Sequence, residues 1–76
     1  MKEEIIDFQP RPMSKTELAR LYAPNLKDNS ALNRLALWMR ISPGLLVELQ
    51  RTGYRVRQRL LTSRQVSIIF QFIGPP

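Results

Sequence analysis

Ser14-Lys15-Thr16-Glu17-Leu18-Ala19-Arg20-Leu21-Tyr22-Ala23-Pro24 carries signals for both ends of one helix. Ser14 and Glu17 have the spacing of a capping box, in which each side chain satisfies the other residue's backbone N–H. Proline forces the residue before it out of helical geometry, so Pro24 closes the segment. The spacing predicts a helix from Lys15 to about Ala23, with Leu18, Leu21 and Tyr22 turned inward.

The same punctuation continues downstream. Asp28, Asn29 and Ser30 are all good N-caps, and a second helix is expected to open near Ser30. Its apolar stripe reads Leu32, Leu35, Ala36 and Met39, while Leu37, Trp38 and Ile41 lie opposite, so this helix needs cover on two faces. Ser42 is expected to cap a third helix, with Pro43 at its first position, Leu45, Leu46 and Leu49 inward, and Gly53 at a left-handed end. Between Tyr54 and Leu61 the helical rhythm gives way to alternation. Tyr54, Val56 and Leu60 fall on one side and Arg55, Arg57 and Arg59 on the other, the pattern of a half-buried strand. Thr62 and Gln65 form a second capping box, opening a last helix with Val66, Ile69, Phe70 and Ile73 on one face, and Gly74-Pro75-Pro76 follows it.

Upstream of Ser14, Glu4 to Phe8 reads as a short strand and Pro10 to Pro12 as a stiff extended linker. The expected fold is mainly α: a compact four-helix domain, helix-turn-helix-like, with a minor two-stranded β element. Residues 1–76 then form one domain, with 1–13 an extended arm or short strand and 14–76 the helical core.

The charge is unevenly placed. Residues 1–33 hold five basic and five acidic side chains, whereas 34–76 hold seven arginines against Glu48 alone, so the net +6 belongs to the second half. Arginine presents a planar fork suited to phosphate or carboxylate, while lysine is the usual solubilising cation. A merely solvated basic surface, a nucleic acid and an acidic protein partner are all compatible with this excess.

With no cysteine and no histidine, the chain lacks thiolate ligands, disulfides and the commonest general base, and a metal-free, cofactor-free fold is expected. The six carboxylates are dispersed, with Glu17 assigned to a cap and Glu48 to a surface pair with Arg51. Gly44, Gly53 and Gly74 form no phosphate-binding loop. The chain is therefore not expected to be an enzyme. Glu3, Glu4 and Asp7 replace the basic start of a secretory signal, and no apolar run reaches the ~20 residues of a membrane span. A soluble, cytoplasmic protein is expected.

Three groups of residues are candidates for function. On a strand, Arg55, Arg57 and Arg59 would leave one face at ~6.7 Å intervals, a row suited to a phosphate backbone and placed where a winged helix-turn-helix carries its wing. The same arginines could instead guard a sheet edge, or face Glu4 and Asp7 across a paired strand. The second group is Ser30, Asn33 and Arg34 at the start of the second helix, with Arg64 a further basic residue at the start of the last. Asparagine and arginine suit adenine and guanine edges, yet they equally suit the solvated side of a core helix. The seven residues Ala23 to Asn29 are about three more than the motif's tight turn. The third group, Trp38, Ile68 and Phe72, with Ile41 beside Trp38, either completes the core or marks a dimer or partner surface.

Glu17 to Pro24, Leu35 to Arg40 around Trp38, Gly53-Tyr54, and Thr62-Ser63-Arg64-Gln65-Val66 leading to Ile73-Gly74-Pro75-Pro76 together resemble a family of short Bacteroidales proteins catalogued as domain of unknown function 4248. The resemblance covers roughly residues 14–76 and implies no activity and no functional residue. More loosely, the run from the first helix through the basic segment to the Thr62 helix is similar to the winged helix-turn-helix domains of excisionases and MerR-type regulators. The resulting expectation is a DNA-binding module of helix-turn-helix type, and the alternative is a protein-interaction module or small homodimer that binds no nucleic acid.

Overall fold

The computed structural model describes residues 10–76. The expected strand at Glu4 to Phe8, and any pairing through Glu4 and Asp7, lie outside the described residues. The elements are β1 (Met13–Ser14), α1 (Lys15–Tyr22), α2 (Asp28–Ile41), α3 (Leu45–Gln50), β2 (Leu60–Leu61) and α4 (Ser63–Ile73). β1 and β2 pair antiparallel, Met13 opposite Leu61 and Ser14 opposite Leu60. The expected mainly helical domain with a minor two-stranded sheet is the observed one, and β2 finds its partner immediately before α1.

Both ends of α1 fall where the sequence places them. The Ser14 hydroxyl accepts from the Glu17 N–H at 3.0 Å. The Glu17 carboxylate takes the Arg11 guanidinium at 2.6 Å, so its expected reach back to Ser14 gives way to an exposed ion pair. Ala23 donates to the Ala19 carbonyl, and Leu26 donates to Ala23 at 3.1 Å across a turn containing Pro24.

α2 starts at Asp28, two residues before Ser30, and Lys27 is its extended N-cap. The reason is tertiary. Arg20 donates from Nε and Nη2 to the two Asp28 oxygens at 2.9 and 2.8 Å, which draws Asp28 into the first turn as a helix residue. This paired bond holds the Asp28 carboxyl below its ordinary range and raises Arg20. The connection between α1 and α2 thereby shortens to five residues, Ala23 to Lys27. The buried face of α2 is Ala31, Leu35 and Met39, with Leu32 and Trp38 half-buried beside it, and Ala36 faces solvent.

Ser42 closes α2 instead of opening α3, because its hydroxyl donates back to the Trp38 carbonyl at 2.7 Å. Pro43 and Gly44 are the central residues of a turn closed by Leu45 N–H to Ser42 O at 3.2 Å. Gly44 has φ 82° and ψ −13°, the type II geometry that favours glycine. At the far end of α3, Gly53 has φ 88°, and the Tyr54 N–H returns to the Leu49 carbonyl at 3.2 Å.

Leu18, Ala19, Leu35, Leu45, Leu49, Leu61, Val66 and Ile69 form the centre of the core, closed by Met13 and Tyr54. The Thr62–Gln65 capping box is complete: Gln65 N–H donates to Thr62 Oγ1 at 3.1 Å and Thr62 N–H to Gln65 Oε1 at 3.0 Å. Among the described residues, no helix is long and apolar enough to cross a membrane, and no group of three or more His, Cys, Asp or Glu could hold a metal ion.

Candidate nucleic-acid interface

The segment between α3 and β2 is a clamped loop, which corrects the expected strand over Tyr54 to Leu61. Gln58 N–H donates to the Arg55 carbonyl at 3.0 Å, so residues 55–58 fold into a reverse turn with Val56 and Arg57 at its tip. Only Leu60 and Leu61 are extended and paired. Tyr54 is buried as its position implied, but Val56 is 76% and Leu60 69% exposed, so the apolar side of the supposed strand does not exist. Alternating residue types are as compatible with an exposed turn as with a pleat, and here the bond between Gln58 and Arg55 closes the turn. Arg55, Arg57 and Arg59 are all exposed, distributed around the turn and its flanks.

The loop is held from two directions. On the α1 side, Lys15 Nζ donates to the Val56 carbonyl at 2.6 Å, Lys15 N–H donates to the Arg59 carbonyl at 2.9 Å, and its ammonium lies 4.8 Å from the centroid of the Tyr54 ring. On the α4 side stands Gln65, only 2% exposed. Its Oε1 accepts from Gln58 Nε2 at 2.6 Å, and its Nε2 donates to Thr52 Oγ1 at 2.9 Å. Gln58 Nε2 also donates to the Leu60 carbonyl at 2.6 Å, and Gln58 Oε1 accepts from the Arg55 N–H at 3.1 Å. A buried amide needs its partners, since an unpaired one costs about 1–3 kcal/mol.

Between this loop, the first turn of α1 and α2 lies an open cleft of about 670 Å³, lined by Lys15, Thr16, Leu32, Arg57, Arg59 and Leu60 among others. It joins two of the sequence candidates, Arg57 and Arg59. Ser30, Asn33 and Arg34 are exposed on α2, and Arg64 is exposed at the start of α4. These four, with Arg55, do not line the cleft. Lys15, Leu32 and Gln58 were not singled out from the sequence. Lys15 follows a cap residue and reads as an ordinary first-turn lysine, and Gln58 has significance only beside Gln65.

A second, shallower cleft of about 410 Å³ lies among Tyr22, Trp38, Ile41, Phe72, Ile73 and Pro75. Trp38 is half-buried and meets Tyr22 edge-to-face at 5.7 Å, while Phe72 remains 41% and Ile41 63% exposed. Ile68 packs against the main core and lines neither cleft.

The family model for a domain of unknown function, DUF4248, matches residues 9–76. The chain belongs to this family. The match takes in every element from β1 to α4, so the clamped loop and both clefts lie within the family's domain. No curated protein and no solved structure matches the chain.

Proposed function

We propose that the chain is a DNA-binding module of helix-turn-helix type. Its α2 presents Ser30, Asn33 and Arg34 to a major groove, and the loop from Arg55 to Arg59 serves as a wing on the flanking backbone. One observation carries the reading: Arg57 and Arg59 of the loop share a cleft with Lys15 of α1 and Leu32 of α2, so the arginine loop stands beside the helix that would read bases. The short connection from Ala23 to Lys27, and the order helix, turn, helix, basic loop, strand, helix, agree with a winged arrangement. Arginine forks at the loop suit phosphate, and Asn33 and Arg34 suit adenine and guanine edges.

The alternative, a protein-interaction module or small homodimer, is favoured by the cleft around Trp38 and Phe72, where Ile41 also leaves apolar surface in water.

Fluorescence anisotropy with a labelled 20-base-pair duplex tests the DNA reading. Neutralising four or five phosphates gives log affinity against log salt a slope of about −4. Affinity indifferent to salt, or no binding in dilute buffer, overturns the proposal, and sedimentation of the free protein then decides whether it self-associates.

A further inference from the structure

We propose that Gln58 is a positioning residue that holds the arginine loop in its phosphate-binding form, with buried Gln65 as its anchor. The inference rests on the DNA-binding reading of that loop. Gln58 lies between Arg57 and Arg59 and is half-buried, while both arginines are exposed. Its side chain makes three hydrogen bonds in three directions: from the Arg55 N–H within the turn, to the Leu60 carbonyl at the start of β2, and to Gln65 Oε1 on α4. Gln65 passes the restraint on to Thr52 at the end of α3, whose hydroxyl donates to the Leu49 carbonyl at 2.6 Å. Gln58 thus ties the loop directly to α4 and to β2, and Gln65 extends the tie to Thr52, just beyond α3.

A loop restrained in the free protein avoids most of the ordering cost that a slack loop meets on binding. Gln58 lines the same cleft as Arg57 and Arg59, but it is uncharged and its amide is engaged in the clamp, so it adds to affinity through loop order. This distinguishes it from its neighbours: removing an arginine that touches phosphate lowers both affinity and salt slope, whereas removing the clamp lowers affinity and leaves the slope alone.

The test compares the parent with Gln58→Met, which retains the bulk of the side chain and loses its hydrogen bonds, with Gln58→Ala, and with Arg57→Gln. Each is titrated against the same 20-base-pair duplex over a salt series, with circular dichroism confirming the helical fold and amide exchange followed from Arg55 to Leu60. The expectation for both Gln58 variants is about tenfold weaker binding at every salt concentration, with a parallel salt line. Amide exchange should accelerate at Arg55 and its neighbours and remain unchanged in α2. Arg57→Gln should flatten the slope by about one unit with loop exchange unaltered.

If the parent binds and the Gln58 variants bind equally well, Gln58 positions nothing and the inference fails while the DNA reading stands. Weaker binding with unaltered loop exchange also overturns it, because the loss would not come from loop order. A parent that binds no duplex at any salt overturns the DNA reading and this inference together.

Discussion

Tyr22 carries two attachments on one side chain. Its ring meets Trp38 and Phe70 edge-to-face, and its hydroxyl donates to the Gly74 carbonyl just beyond α4. Burial pushes its phenol up to about 12 from the ordinary 10.0. The folded protein therefore holds this proton more tightly than the unfolded chain does. By linkage, the resulting stability is fully present below pH 10 and is lost as pH rises from 10 towards about 12. Tyr22→Phe should unfold more easily at neutral pH by about 0.5–1.5 kcal/mol, from the lost hydrogen bond, and its melting temperature should decline less over that alkaline interval. Thermal melts between pH 7 and 12 check both effects, and parallel profiles for parent and variant would refute the burial account. The inward position of Tyr22 was legible from periodicity, but its partner at Gly74 is 52 residues away and left no local trace. Gln58 was invisible for the same reason, since its meaning depends on an amide seven residues on and buried by tertiary packing.

Helix boundaries were legible where the capping partners are close in sequence. Ser14 with Glu17, and Thr62 with Gln65, each span three residues, and in both the cap hydroxyl accepts from the backbone N–H three residues on, although only Thr62 and Gln65 complete the reciprocal box. Ser14→Ala and Thr62→Ala should each lower stability by ~1 kcal/mol. Thr62→Ala should be the costlier, because Gln65, its reciprocal partner, is buried and also holds the loop. Urea melts of the two variants measure this, and midpoints equal to the parent's would show that neither hydroxyl supports its helix. Boundaries failed where a distant or competing partner intervened. Asp28 offered a good N-cap oxygen, but Arg20 took both of its oxygens. Ser42 also had the right residue type, but its hydroxyl turned back to Trp38. The basic loop failed differently. Alternation is necessary for a half-buried strand but not sufficient, and the bond from Gln58 N–H to the Arg55 carbonyl, with the exposure of Val56, distinguishes the turn.

For the molecule as a whole, the surplus of arginine in residues 34–76 was the plainest signal in the sequence, and composition indicates charge without indicating its purpose. The fold places Arg57 and Arg59 at one cleft with Lys15. Changing Arg55, Arg57 and Arg59 together to glutamine separates a binding role from a structural one. If the loop meets DNA, the salt slope should shrink by about 2–3 units. Stability should then shift by less than ~0.5 kcal/mol, as expected for exposed charges outside any structural network. If the arginines instead support the fold, melts should fall by ~1 kcal/mol with an ordinary salt response. A destabilised triple variant with an unchanged slope would shift the weight to the interaction reading and the cleft around Trp38 and Phe72.

The bond from Tyr22 to Gly74 also has a consequence for synthesis on the ribosome. Translation at ~5–20 residues per second separates these two residues by roughly 3–10 s, because the acceptor lies 52 residues after the phenol. During that interval Tyr22 has neither Phe70 nor the Gly74 carbonyl to close against. The aromatic face of α1 therefore stays unclosed until α4 docks. A chaperone that recognises exposed aromatic side chains would find its binding site here, and would lose it when α4 docks.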